Sequence, residues 1–170
     1  MDKTLVVYFS RGDEEYGVGE VNPGNTELLA KEVIKQTGAD EFKILPVNQY
    51  PESYMDCVNL ATDEKNNNAR PEYQGDIDIS AYDTIFFGYP IWWGDLPMIC
   101  YTFLERHDFA GKTIIPFNTH EGSGNSGTFA KLKSKLSSAT FEGNGFNMTG
   151  TEARTPEGLA KLDAWLETLK

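Results

Sequence analysis

The stretch Thr84-Ile85-Phe86-Phe87-Gly88-Tyr89, running into Pro90-Ile91-Trp92-Trp93-Gly94-Asp95, decides the fold. Six residues with almost no polar interruption read as a strand covered on both faces, as in a parallel sheet, and the Pro- and Gly-bounded segment behind it reads as the loop at the strand's carboxyl end. The same signature opens the chain at Leu5-Val6-Val7-Tyr8-Phe9. Phe42 to Leu45 reads as a second strand, closed by Pro46, and Thr113 to Phe117 as a fourth. Pro116 in that fourth strand lacks an N–H for the ladder, which points to an edge or a bulge. Thr140 to Phe146, interrupted by Gly143 and Gly145, is expected to be the fifth strand.

Between these runs the apolar spacing changes to the helical one. Leu29, Ala30, Val33 and Ile34 share a face after Asn25, with Gly38 placed to stop the helix. Tyr54, Val58 and Ala61 do so ahead of the Asn66-Asn67-Asn68 run, Met98 to Phe103 after the tryptophan loop, and Phe129, Leu132 and Leu136 after a glycine-rich loop. Thr155-Pro156-Glu157 supplies a capping hydroxyl, a proline at the first helical position and an acid in the first turn, and Leu159, Leu162, Leu166 and Leu169 form the stripe that follows. Arg70 to Ser80 is expected to be a long surface connection. Strands alternating with helices through 170 residues predict one α/β domain spanning 1–170, a doubly wound parallel sheet with right-handed crossovers and helices on both faces.

Composition narrows the function. Fifteen Lys plus Arg against 26 Asp plus Glu leave a net charge of -11, which repels phosphate backbones and anionic lipid headgroups. No nucleic acid and no membrane are therefore expected as partners. The two cysteines, Cys57 and Cys100, are far apart and make no CxxC pair, and the apolar run at the N-terminus is too short for an export signal, so a reducing, cytoplasmic setting is expected. The Asn147-Met148-Thr149 sequon has no role there. No His/Cys spacing suggests a metal site.

In doubly wound sheets ligands bind beyond the carboxyl ends of the strands, where strand order reverses. Three loops lie there. The first carries Ser10-Arg11 and, after a polar excursion, Gly24-Asn25-Thr26 at the start of a helix. Small neutral donors at a helix N-terminus can hold a phosphate dianion, although Asn25 or Thr26 could equally be an ordinary cap. The loop matches neither GxxxxGK[ST] nor GxGxxG. Arg11 either adds charge to such a cradle or points to solvent. The second loop places Trp92 beside Trp93. Two adjacent indoles cannot both lie flat on one ring, so one is expected at a ligand and the other in the protein, the alternative being that both anchor the next helix. The third, Asn118 to Gly127, is dense in glycine and hydrogen-bonding groups, which lets backbone N–H groups approach a ligand closely. His120 alone reads more readily as a hydrogen-bonded loop residue than as a catalyst, and His107 as structural.

Tyr8-Phe9-Ser10, Gly24-Asn25-Thr26, Gly88-Tyr89-Pro90-Ile91-Trp92-Trp93-Gly94 and Thr119-His120-Glu121-Gly122-Ser123-Gly124, in this order along the chain, resemble the flavodoxin family. The resemblance implies a flavodoxin-like five-stranded sheet in order 2-1-3-4-5 with one FMN bound non-covalently. It assigns the phosphate to Ser10, Asn25 and Thr26, with Arg11 as a further candidate. The ring and ribityl chain fall between Pro90, Ile91, Trp92, Trp93 and Gly94 on one side and Thr119, His120, Glu121, Gly122, Ser123 and Gly124 on the other. Two features depart from the family pattern. Residues 11–23 separate Ser10 from the Gly-Asn-Thr that usually adjoins it, and Glu121 stands where relatives often carry glycine.

The redox chemistry of such a protein belongs to the flavin. An acidic envelope disfavours an anionic reduced ring, so the second electron is expected to enter at low potential. The leading reading is a monomeric electron carrier between basic redox partner proteins, a reductase and an acceptor, with no catalytic residue of its own. The alternatives are an FMN-dependent NAD(P)H:quinone-type oxidoreductase, with residues 12–23 or 66–80 framing a second planar substrate, and a flavodoxin-like module that holds no flavin. On the carrier reading, Thr26→Val weakens FMN binding by about 1.5–3 kcal/mol.

Overall fold

The structure, a computed structural model, describes residues 3–11, 13–15, 19–21, 24–143 and 145–169, with backbone alone for 13–15 and 19–21. In chain order its elements are β1 (Thr4–Tyr8), β2 (Asp13–Glu15), β3 (Gly19–Val21), α1 (Asn25–Thr37), β4 (Asp40–Lys43), α2 (Tyr54–Asn66), β5 (Thr84–Pro90), α3 (Met98–Arg106), β6 (Thr113–His120), α4 (Thr128–Lys135), β7 (Thr140–Phe141), β8 (Phe146–Thr149), α5 (Gly150–Ala153) and α6 (Pro156–Glu167). The main sheet runs β4-β1-β5-β6-β7, with β8 also on β6, and all its pairs are parallel. That is the order 2-1-3-4-5 of a doubly wound flavodoxin-like sheet.

Both faces of the sheet are covered, which is why its central strands β1 and β5 are apolar almost throughout, whereas β4 at the edge is not. Leu5, Val7 and Phe9 join Ile85, Phe87, Tyr89 and Ile114 beneath α2, α3 and α4. The alternate residues Val6, Tyr8, Phe86, Ile115 and Phe117 pack under α1 and α6, against Leu29, Val33, Leu162 and Leu166. Helix ends follow their local chemistry. Gly38 is left-handed at the end of α1 (φ 71°), Ser53 caps α2, and the Thr155 hydroxyl accepts from Gly158 N at 3.0 Å ahead of Pro156.

Four local expectations change. Pro116 lies in a strand flanked on both sides, in register with Phe87 of β5, rather than at an edge. The fifth strand absorbs the cost: β7 pairs with Thr113 and Ile114, β8 with Phe117 to His120, and the break between them lies opposite Pro116. Gly145 lies in that break, and a Cβ there would crowd the Pro116 carbonyl and the Phe129 ring. The connection from Arg70 to Ser80 is more than a surface loop. Val47 N donates to Glu72 O and Gln74 N to Leu45 O, while Tyr73 and Ile79 are buried in the core. Inside the polar excursion, β2 and β3 form a two-stranded antiparallel sheet. Helix α5, one turn capped by the Thr149 hydroxyl on Glu152 N, carries no apolar stripe by which it could have been read. Among the described residues, no helix is long and apolar enough to cross a membrane.

Candidate functional site

The carboxyl ends of β1, β5 and β6 meet around a crevice of about 240 Å³. Of the residues expected at a site, Arg11, Asn25, Pro90, Ile91, Trp92, Trp93, Thr119, His120 and Glu121 line it. Ser10, Thr26, Gly94, Gly122, Ser123 and Gly124 lie on the same loops without lining it. A further wall comes from α2, through Tyr54, Cys57, Val58 and Ala61. Its helical spacing was legible, but which face would be turned to a ligand was not.

At the floor, Ser10 Oγ accepts from Glu27 N at 3.0 Å, so the hydroxyl that serves α1 comes from the end of β1 and not from Asn25 or Thr26. The residue preceding α1 is Gly24. A Cβ there would overlap Arg11 O and Ser10 Oγ, so glycine alone lets the two arms of the loop cross. Thr26, 1% exposed, shares a 2.7 Å hydrogen bond with Thr119 Oγ1 and so ties α1 to β6. Asn25 Oδ1 accepts from Arg154 Nε at 2.8 Å. Arg11 lines the crevice and does not point to solvent. It is buried, and its Nη2 donates to Pro51 O at 2.6 Å and Glu52 O at 2.7 Å, holding the entry of α2 against the site.

The loop after β5 separates its two indoles. Trp92 packs edge-on against Phe9 and Tyr50, with ring centroids 5.4 and 5.0 Å apart. Trp93 is 56% exposed at the crevice. A tight reversal produces this split: Trp92 N donates to Asp95 O, Asp95 N donates to Trp92 O, and Trp93 (φ 54°) and Gly94 (φ 69°) are both left-handed. For tryptophan that conformation costs roughly 1–2 kcal/mol. Asp95 anchors the reversal. It accepts from Tyr101 Oη at 2.5 Å, Lys65 Nζ at 3.0 Å and its neighbour Leu96 N at 2.8 Å, with Lys131 at 3.4 Å. Burial works against the charge on Asp95, but the hydrogen bonds from Tyr101 and Lys65 outweigh it and hold the carboxyl below the ordinary range.

The loop after β6 is held differently. His120 Nδ1 accepts from Gly122 N at 3.0 Å and Gly124 N at 3.2 Å, which assigns the ring proton to Nε2, facing Asn147 Oδ1 at 3.1 Å. Asn125 Oδ1 accepts from Gly127 N. Glu121 turns away from the loop to accept from Thr151 N at 3.1 Å and Thr151 Oγ1 at 3.3 Å. Together the three loops make a slot with the exposed Trp93 indole, the Asn25 amide and the Thr119 hydroxyl on its walls beside the charged Arg11 and Glu121. Such a slot suits an aromatic ring carrying a polar tail. Among the described residues, no cluster of His, Cys, Asp or Glu is placed to hold a metal ion.

Solved structures extend the likeness over the whole molecule. A protein described as a flavoprotein from Bacteroides uniformis ATCC 8492 is 30% identical, with 98% of each chain covered and a TM-score of 0.77. A similarly described protein from Bacteroides eggerthii DSM 20697 is 29% identical over 99% of this chain and 98% of its own, also at 0.77. A flavoprotein in complex with FMN from Lactobacillus acidophilus NCFM, 19% identical over 98% and 99%, shares the fold at a TM-score of 0.69. No curated protein matches the chain significantly. A family model described as Flavodoxin matches residues 3–169, and the chain belongs to the flavodoxin family.

Proposed function

We propose that the chain binds FMN in this crevice and carries single electrons at low potential between basic redox partner proteins, as a monomer in the cytoplasm. The observation that carries the reading is the convergence of the three loops on one crevice. Asn25 at the first turn of α1, the exposed Trp93 of the loop after β5, and Thr119 and His120 at the end of β6 all line it.

The donor set fits the nucleotide. Asn25, at the first turn of α1, would take the phosphate with its amide, and Ser10 keeps the N-terminal end of that helix in place. Trp93 would cover one face of the ring, Thr119 and His120 would border its other side, and Trp92 keeps the loop seated on the core. Bound flavin supplies reversible one- and two-electron chemistry, and the chain supplies grip, orientation and an acidic field. That field, from a net charge of -11, steers positively charged partners to the molecule.

Anaerobic reductive titration of the purified protein, followed in the visible, tests the reading. A third spectral species between the oxidised and fully reduced forms is expected, and direct passage between the two would refute the carrier. A second reading, an FMN-dependent NAD(P)H:quinone-type oxidoreductase, draws on the wall from α2, where Tyr54, Val58 and Ala61 extend the slot sideways. Residues 66–80, one of the segments expected to frame a second substrate, do not line the crevice. Oxidation of NADPH by the protein with a quinone and no added reductase would favour that enzyme.

A further inference from the structure

We infer that Arg154, which follows α5 and is 129 residues distant from its partner, is a positioning residue for the phosphate end of the nucleotide, acting through Asn25. This rests on the proposed phosphate role of Asn25. Guanidinium nitrogens only donate, so the atom of Asn25 that meets Arg154 Nε at 2.8 Å has to be the oxygen Oδ1. The orientation of the amide follows: its NH2 group is turned toward Gly150 and the Glu121 carboxylate, and both Asn25 and Glu121 line the crevice. An asparagine without that partner could present either end to an anion, and the oxygen end would repel it.

The surroundings are built to keep this arrangement. Asn25 is 9% exposed, so its side chain is confined. Gly150 lies against the NH2 end, and a Cβ there would overlap both Asn25 Nδ2 and Glu121 Oε1. The turn that ends in Arg154 is itself pinned to the loop after β6, because the Glu121 carboxylate accepts from Thr151 N and Thr151 Oγ1. The segment from Gly150 to Arg154 therefore touches both walls of the slot, one through Asn25 and one through Glu121. Glu121 also brings a negative charge close to the NH2 of Asn25, and the guanidinium at the other end of the amide offsets it. Arg11, also at the crevice, has its Nη2 committed to the carbonyls of Pro51 and Glu52.

The test compares two ligands that differ only in the phosphate. Full-length wild type, Arg154→Leu, Arg154→Lys, Asn25→Ala and the double variant Asn25→Ala/Arg154→Leu are titrated with FMN and with riboflavin, followed by quenching of flavin fluorescence. Arg154→Leu is expected to weaken FMN tenfold or more and to leave riboflavin unchanged. Arg154→Lys keeps the charge but not the Nε–H geometry and should recover only part of the loss. In the Asn25→Ala background, Arg154→Leu should change little, because the group it orients has gone. Equal losses for both ligands, no loss, or full additivity with Asn25→Ala would each overturn the assignment. Wild type that binds riboflavin as tightly as FMN would instead overturn the phosphate reading of Asn25 and take this inference with it. Should Arg154→Leu fail to fold, Arg154→Gln takes its place in the comparison of FMN with riboflavin, with Arg154→Lys expected between it and wild type.

Discussion

The two loops that wall the crevice are stabilised in opposite ways. The loop after β5 is held from outside itself. Trp92 is wedged between Phe9 of the β1 end and Tyr50, and Asp95 draws on Lys65 of α2, Tyr101 of α3 and Lys131 of α4. The loop after β6 is held mainly from within, by the His120 ring on Gly122 N and Gly124 N and by the Asn125 amide on Gly127 N. The first is stiff because distant elements converge on it, and it can therefore keep Trp93 in a left-handed conformation that a free loop would relax. The second bends by glycine, and its ties outward run from His120 to Asn147 and from Glu121 to Thr151.

Substitutions should separate the two. Trp92→Ala is expected to have the largest effect, a loss of about 3 kcal/mol in urea unfolding, because it empties an aromatic nest shared by two other rings. A loss below about 1 kcal/mol would mean the loop stands without that wedge. Asp95→Asn comes next, at about 1.5–3 kcal/mol, the range for hydrogen bonds to a charged group. Its pH dependence has a definite sign. The folded carboxyl is depressed, so its stabilisation is complete above the unfolded value of about 3.9 and is lost only as pH falls through the lower folded value. Wild type should therefore show an acid limb in stability that Asp95→Asn flattens, measured by urea midpoints at a series of pH values.

Trp93→Asn should act in the opposite direction. Asparagine tolerates left-handed backbone and the indole is mostly solvent-exposed, so unfolding free energy should rise by about 1 kcal/mol while flavin binding weakens. A fall in both would show that the indole packs in the free protein. The smallest effect is expected from His120→Ala, at about 0.5–1 kcal/mol, because the two N–H groups it releases can turn to water. Faster amide hydrogen exchange at Gly122 and Gly124, with none at Trp92 to Asp95, would confirm that each wall is held separately.

Much of this was legible from the sequence, for reasons that differ by element. Leu5 to Phe9 and Thr84 to Tyr89 announce themselves because a strand covered on both faces has no polar position to hide. Pro116 was read correctly as a disturbance and placed wrongly. A proline spoils the ladder on one side only, and the neighbouring strand can break where the central one cannot. The rule that two adjacent indoles must part company was available from geometry. Which of them parted in which direction depended on Phe9 and Tyr50 meeting beneath the loop.

The chain's own order of residues determined the alternation of strands and helices, the two buried faces of the sheet and the three loops where a ligand could sit, since apolar periodicity and turn chemistry act over a few neighbouring residues. Only the tertiary structure decided what each polar group in those loops would do. Ser10 serves a helix that begins fifteen residues later, Arg11 is spent on α2, Thr26 pairs with Thr119, and Asn25 is oriented from 129 residues away. A hydrogen-bonding side chain takes whichever partner the packed backbone brings within 3 Å, and that choice is made after the fold, by elements that carry no trace of one another in sequence.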